Sequence, residues 1–349
     1  MQVTPPSHRF DLTAPIDLVE EVARLVGYEK LPERPLQGPI RLLPTTASQT
    51  RAGQWALRLV CRGYQETIHM PFTDPLLDND FSWSVAPAIG LRNPLAQDQS
   101  ILRRSLWPSL VDTLRYNLAR EQKRVRIFEI GTVFERTPGG PCSEKKVAAG
   151  LWHGLYREEE WGQNTRLVDF FDVKADVELL LEPIREGLHF ESLHVPMLDP
   201  AESAIITLKG HHLGVLGAVH PGLQKRWEIR GKTYLWSLNV IDLEHFAKVE
   251  YKPVAKFPAV RRDLAFIVPE TVPFHEIHQA LLENGRPLLK EIKLFDLYAG
   301  PTLDAGFRSL AFSLLFRDQD STLTEKAVND LCAKLVDIVE GRFCGKLRK

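Results

Sequence analysis

The chain has 349 residues, enough for two or three domains of ordinary size. Its 44 Lys+Arg against 45 Asp+Glu exclude a global field that would hold it on nucleic acid or an acidic membrane, so any such binding needs a local patch. Four dispersed cysteines without a C-x-x-C pair exclude a cysteine zinc site and a disulfide framework, no apolar run nears the roughly 18 residues that span a bilayer, and MQVTPPSHRFDL lacks the layout of a signal peptide, so the expectation is a cytosolic, cytoplasmic chain.

In chain order, Pro5 and Pro6 precede an extended SHRFDL piece. A helix is predicted from about Asp17 to Val26, with Leu18, Val22 and Leu25 at helical spacing and Gly27 as its stop. One helix and one strand cannot bury a core, so residues 1–35 read as the end of a domain whose beginning is missing. LPERPLQGPIRLLP is a proline-rich connector. The next helix places Ala52, Trp55, Ala56, Leu59 and Val60 on one face and stops at Gly63, after which turns and short strands run to about Asn93. Another helix starts at Pro108, where the missing N–H costs nothing, and ends near Arg120. VRIFEIGTVFER is a strand, or a hairpin around Gly131, and VAAGLWHG is a strand. DVKADVELLLEPI is an amphipathic helix, and AIITLKGHHLGVLGAVH with TYLWSLNVIDL makes three more strands. Strands in runs between helices indicate an α+β antiparallel sheet.

The last hundred residues alternate in a recognisable order. RDLAFIV is a strand with Leu264, Phe266 and Val268 on one side, FHEIHQALL a helix, and IKLFDLY and SLAFSLLF are strands. The final helix carries Val328, Leu331, Leu335 and Ile338 and can be capped by Thr322 with Glu325. A short strand near Gly345–Arg348 completes β-α-β-β-α-β, the ferredoxin-like motif.

Few residue groups carry chemistry. Asp17, Glu20 and Glu21 stand at i, i+3 and i+4, with Asp11 just before them, an oxygen-rich set suited to Mg²⁺. The same acids also suit a capping box and the positive end of a helix, and Arg24 can pair with Glu20 or Glu21, so the pattern alone leaves both readings open. The pairs His211–His212 and His275–His278 lack a third ligand and read as surface histidines; Asp169, Asp172 and Asp176 read as acids of a helix start. No P-loop, G-x-S-x-G or G-x-G-x-x-G occurs. From Lys256 to the end there are 14 Lys+Arg and 13 Asp+Glu, 14 − 13 = +1, so the terminal part is not basic overall. Its cluster Lys256, Arg261 and Arg262 beside Phe257, with Arg317 at a strand end, offers cations to a phosphate backbone or is a solvated basic edge.

Three stretches carry a family resemblance. PPSHRFDLTAPIDLVEEVARLVGYEKLP resembles the linker-proximal domain of the β subunit of bacterial phenylalanyl-tRNA synthetase. NPLAQDQSILRRSLWPSLVDTLRYNLAREQKRVRIFEIGTVF resembles its catalytic-like domain, and FPAVRRDLAFIV with STLTEKAVNDL and GKLR resembles its ferredoxin-like anticodon-binding domain. The resemblance implies a partial domain at 1–35, a class II synthetase-like antiparallel sheet with helices at 45–247, and a ferredoxin-like domain at 256–349. It implies an α2β2 heterotetramer that joins phenylalanine to tRNA(Phe) with ATP, which the α subunit uses. The β subunit supplies scaffold and tRNA contacts. Its N-terminal half, with an editing site, has no counterpart here, in keeping with a fragment.

The family's magnesium-binding acids fall at matching spacings, which implies a Mg²⁺ site at Asp11, Asp17, Glu20 and Glu21, shared with the α subunit. Anticodon-stem contact is implied for Lys256, Arg261, Arg262 and Arg317. Class II synthetases hold ATP with an R-x-E hairpin and a later Gly-rich strand ending in Glu-Arg. Arg126 and Glu129 stand near the first position, but GVLGAVHPG supplies Gly214 and Gly217 with no Glu-Arg after them. Apolar residues cannot replace a phosphate-holding arginine. The expectation is therefore a subunit with no catalytic residues of its own. The alternative is a free-standing synthetase-like RNA-binding paralogue with no role in aminoacylation, which would bind tRNA and ignore the α subunit. A protein with an interaction role alone would show no tRNA affinity.

Overall fold

The computed structural model describes residues 2–34, 38, 47–136, 140–184, 187–240 and 256–348. Most of the proline-rich connector and the last three residues, 241–243, of the expected TYLWSLNVIDL strand lie outside the described residues. The chain divides into two compact units, Met1–Thr46 and Ala47–Lys349.

Among the described residues the first unit holds α1 (Pro15–Val26) and a 3₁₀ turn at Tyr28–Lys30, and α1 has no buried residue. The helix starts earlier than expected. Ala14 is its N-cap and Pro15 its first residue, so Asp17 is the third helical residue instead of the cap. The Asp17 carboxylate accepts hydrogen bonds from the backbone N–H groups of Thr13 (2.8 Å) and Ala14 (2.7 Å), and Glu20 is not its capping partner. SHRFDL is a turn instead of an extended segment, closed by Arg9 N–H donating to the Pro6 carbonyl at 2.9 Å. Gly27, at φ +94°, ends α1 as expected.

Among its described residues the second unit holds three sheets. The largest has seven strands: β1 (Gln65–Glu66), β5 (Arg124–Arg136), β6 (Cys142–Gly154), β7 (Leu188–Ser192), β8 (Leu198–Leu208), β9 (His211–Val219) and β10 (Thr233–Asn239). Their order is β1-β5-β6-β10-β9-β8-β7, antiparallel throughout except for the parallel β1–β5 pair. β2 (Phe72–Thr73), β3 (Ile89–Gly90) and β4 (Ile101–Leu102) form a small separate sheet.

Helices cover both faces of the large sheet, which is why β5, β6 and β9 contain continuous buried runs instead of strict alternation. On one face α2 (Ala47–Cys61) and α5 (Phe170–Leu180) bring Trp55, Leu59, Val173 and Val177 against Phe128, Trp152 and Trp236. On the other, α3 (Pro75–Phe81) and α4 (Trp107–Leu118) bring Phe81, Trp107, Leu110 and Leu114 against Ile127, Leu151 and Leu235. Val60 departs from the expected face of α2 and is exposed. α3, β7 and α6 (Pro221–Arg226) were not legible as elements, because five to seven residues hold too little of either period.

Gly131 does not turn a hairpin; β5 runs straight through it. A Cβ there would stand 2.6 Å from Arg103 Nη2, so the strand needs glycine for close approach. The β8–β9 hairpin turns at Lys209 and Gly210, both at positive φ (49° and 80°), as a two-residue turn between twisted strands requires. His211 and His212 therefore open β9 instead of forming the turn.

The terminal region is β11 (Val260–Pro269), α7 (Phe274–Gly285), β12 (Leu289–Tyr298), β13 (Phe307–Phe316), α8 (Glu325–Phe343) and β14 (Lys346–Leu347). The strand order β12-β13-β11-β14 and the alternation of strands and helices are those of the expected ferredoxin-like fold. Phe266, Val268, Leu310, Phe312 and Leu314 face Ile277 and Leu281 of α7 and Val328, Leu335 and Val339 of α8. Thr324, two residues after the expected Thr322, caps α8 through a hydrogen bond from Ala327 N–H at 3.3 Å. The α+β antiparallel class expected from the sequence is the one observed. No helix among the described residues is long and apolar enough to cross a membrane.

Candidate functional site

The acidic cluster of the first unit is built around an arginine. Arg9 Nη2 lies 2.6 Å from Asp11 Oδ2 and 2.5 Å from Glu21 Oε1, and Arg9 Nε donates to Asp11 Oδ1 at 3.0 Å. Arg24 Nη2 reaches the other Glu21 oxygen at 2.7 Å. These hydrogen bonds from Arg9, then Arg24, hold the Glu21 carboxyl down at about 2, and Arg9 likewise holds Asp11 below the usual carboxylate range. Asp17 is turned to the helix start, as described above. Four carboxylates are the right donors for a hard cation, yet among the described residues no group of three or more His, Cys, Asp or Glu is arranged to hold a metal ion. As they stand, Asp11, Asp17 and Glu21 are turned to other partners. Arg9 bridges Asp11 and Glu21, and one Asp17 oxygen serves the helix start.

In the large sheet, the residues nearest an ATP motif are engaged with buried partners. Arg126 is buried and ion-paired to the fully buried Asp176, and its guanidinium lies 3.5 Å from the Trp152 ring centroid and 4.3 Å from that of Tyr64. Asp176 also accepts from Arg62 Nε at 2.7 Å and from the Tyr64 hydroxyl at 3.1 Å. Asp176 is therefore a buried counter-ion instead of the helix-start acid expected; only Asp169 and Asp172 cap α5, through reciprocal bonds of 3.0 and 2.9 Å. Glu129 is equally occupied, 2.8 Å from Arg103 Nη1 and 2.7 Å from His69 Nδ1. The glycines of β9 serve strand contact. A Cβ at Gly214 would fall 2.1 Å from the Ser237 carbonyl oxygen, and one at Gly217 would fall 2.6 Å from Ser203 Cβ. Sequence reasoning did not find Asp78 and Arg104, a second buried pair at 2.6 Å, because their partnership spans 26 residues and no local period marks it.

The four terminal basic residues do not make one patch. Lys256 is exposed ahead of β11. Arg261 pairs opposite Leu315 and Arg262 opposite Leu314, so they point to opposite faces of the sheet. Arg261 shares the open face with Asp263, its ion-pair partner at 2.9 Å, whose carboxyl it holds below the usual range. Arg262 sits on the helix side, 3.6 Å from Glu325. The Arg317 Nε atom is buried without a hydrogen-bond partner. Register places Lys293 and Tyr298 of β12 on the open face, opposite Ser313 and Ser309. Arg348 joins them, 5.6 Å from the Tyr298 ring centroid and 3.3 Å from Ser309 Oγ. The parity of the core positions marks these residues in the sequence; local density of cations does not.

Comparison with known proteins agrees with this geometry. Residues 31–240 match the family model described as phenylalanyl tRNA synthetase beta chain CLM domain. Residues 255–348 match the ferredoxin-fold anticodon binding domain, and residues 1–28 the tRNA synthetase B5 domain. The phenylalanine–tRNA ligase beta subunit of Neisseria gonorrhoeae is 36% identical over 339 residues, which are 97% of this chain and 42% of that protein. The one from Thiobacillus denitrificans is 38% identical over 349 residues, 99% of this chain and 43% of its own length. Among solved structures, a pyrrolysyl tRNA synthetase from Desulfitobacterium hafniense aligns with a TM-score of 0.43 at 16% identity, covering 58% of this chain and 69% of that one. The chain spans less than half the length of the curated relatives it matches. With one family model matching well over half of its residues and such relatives along nearly all of it, the chain belongs to the phenylalanyl-tRNA synthetase β-chain family.

Proposed function

We propose that the chain is the C-terminal portion of the β subunit of a cytoplasmic, class II phenylalanine–tRNA ligase, scaffolding a catalytic α subunit in an α2β2 assembly and contacting tRNA(Phe) during ATP-dependent aminoacylation. The observation that carries this reading is the succession of three family segments, in one order, along nearly the whole chain. The buried duties of Arg126 and Glu129 support a non-catalytic part: a guanidinium neutralised by Asp176 between aromatic rings is not available to a phosphate. Exposed Leu57 and Val60 of α2, with Ile68 and Met70 beyond β1, support an apolar surface for the α subunit. Co-expression should yield a complex that charges tRNA with phenylalanine. Phenylalanine-dependent ATP–pyrophosphate exchange by this chain alone would overturn the non-catalytic reading. A chain that binds tRNA and ignores the α subunit would favour the free-standing paralogue.

For tRNA contact the open ferredoxin face supplies small hydroxyls, Tyr298 and the side chains of Arg261, Lys293 and Arg348, while Lys256 precedes β11, Arg262 is on the helix side and Arg317 follows β13. Unpaired bases stack on aromatic rings for about 1–3 kcal/mol each. Tyr298→Ala is therefore expected to weaken tRNA(Phe) binding by about that amount, roughly 5- to 150-fold, with little change in the salt slope. Filter binding between low and physiological salt measures both quantities. A changed slope at unchanged affinity would point instead to phosphate contact alone.

A Mg²⁺ ion, when bound, would be held by Asp11, Asp17, Glu20 and Glu21 and would neutralise their charge; no catalytic step is assigned to it. Because Arg9 now bridges two of these acids, Arg9→Ala should raise Mg²⁺ affinity, read by calorimetric titration, whereas Glu21→Gln should lower it. Equal affinity in all three proteins would remove the ion from this cluster.

A further inference from the structure

The large sheet outruns the helix on its second face. β5 and β6 have 13 residues each, about 43 Å of strand. α4 has 12 residues, about 18 Å of helix. Beyond Gly131 this face forms a cleft of about 500 Å³. Val133, Val147, Val215 and Ser237 line its floor, and the direct pairing of Ser237 with Val215 and of Gly131 with Val147 sets them on one side of the sheet.

One wall is fixed in advance. Arg104, held by Asp78, donates from Nη1 to the carbonyls of Ala86 (2.7 Å) and Ser84 (3.3 Å) and so pins the segment at 83–86. The Trp83 ring stands 5.6 Å from the ring centroids of both Trp107 and His212. At the rim Lys145 Nζ meets Glu135 Oε2 at 2.5 Å, with half of the lysine side chain in solvent. An exposed pair of this kind is weakly held and can be divided by a ligand that answers both charges. A simple anion would meet Glu135, a simple cation would meet Lys145, and a neutral apolar molecule would leave the pair unused. The preformed apolar floor beside one cation and one anion complements a molecule carrying both charges and an apolar group.

We propose that this cleft binds a small zwitterion with an apolar side chain, the class that includes the hydrophobic α-amino acids. Its ammonium sits at Glu135, its carboxylate at Lys145 and its side chain on the valine floor. The site is separate from the proposed tRNA and α-subunit contacts.

Saturation-transfer NMR on this 349-residue chain, with leucine, phenylalanine and tryptophan as probes at up to about 10 mM, tests the proposal in an affinity range that suits so open a site. Using the chain by itself keeps any amino-acid site of a partner out of the signal. Expected are transfer to at least one probe, weakening of about fivefold or more in both Lys145→Ala and Glu135→Gln, and loss of binding for N-acetyl-phenylalanine amide, which lacks both charges. Both substitutions lie at the rim, and circular dichroism confirms their fold. Absence of transfer to all three probes, binding unchanged in either variant, or equal binding of the amide would each overturn it.

Discussion

Asp176→Ala is expected to cost about 3–5 kcal/mol of stability. The carboxylate is 1% exposed and is the ion-pair partner of Arg126, itself enclosed by Tyr64 and Trp152. Removing it strands a buried guanidinium without its counter-charge, and it orphans the Tyr64 hydroxyl, whose pKa burial already pushes up. Arg62 loses less, because 40% of its side chain remains in solvent. If the cost is that of an abandoned charge, a double replacement of Arg126 and Asp176 by leucine should recover most of it, leaving a deficit of about 1–2 kcal/mol. Urea unfolding followed by tryptophan fluorescence gives the values. A loss below about 1 kcal/mol in Asp176→Ala would show that the pair is not holding α5 to the sheet.

Stability should also fall steeply on mild acidification, with His153 as the main single cause. Burial pushes this imidazole down from 6.5 to about 4, and its Nδ1 stands 2.8 Å from Thr233 Oγ1 between β6 and β10. Because the folded value is depressed, the neutral form is the one that fits. The contribution is complete above pH 6.5, where neither state takes up the proton, and is lost as pH falls from 6.5 towards 4, where only the unfolded chain does. The difference of about 2.5 units corresponds to about 3 kcal/mol. His153→Asn, which keeps a polar atom near the Nδ1 position, should flatten the stability profile across this window. Subtracting the two profiles isolates His153 from carboxylates held below their usual range, such as Asp172 and Glu202. Parallel profiles would assign the acid sensitivity elsewhere.

What the sequence revealed follows from how far apart interacting residues lie. The element order of the ferredoxin-like region was legible because Leu264, Phe266 and Val268 alternate on a strand and Val328, Leu331, Leu335 and Ile338 repeat on a helix, signals written within one element. The class of the large sheet was legible from runs of strands, but its strand order was not. β10 sits between β6 and β9 through pairings that span 80 or more residues at one edge, and no local pattern encodes them. Asp176 shows the same limit: three acids at a helix start look alike until the partner of one, 50 residues away, is seen. Arg261 and Arg262 show the opposite case. Their separation onto two faces was already present in the strand's alternation, and grouping them by charge obscured it.

The open face of the ferredoxin sheet carries Arg261, Lys293 and Arg348 interleaved with Asp263, Glu291 and Asp296. A surface balanced in this way repels an arbitrary polyanion as much as it attracts one. In a cell crowded with ribosomes, messages and DNA, a strongly basic module would be titrated away by nonspecific partners. On the proposed reading, selection at this face would fall to shape and base contact, because charge alone gives an arbitrary polyanion no net pull there.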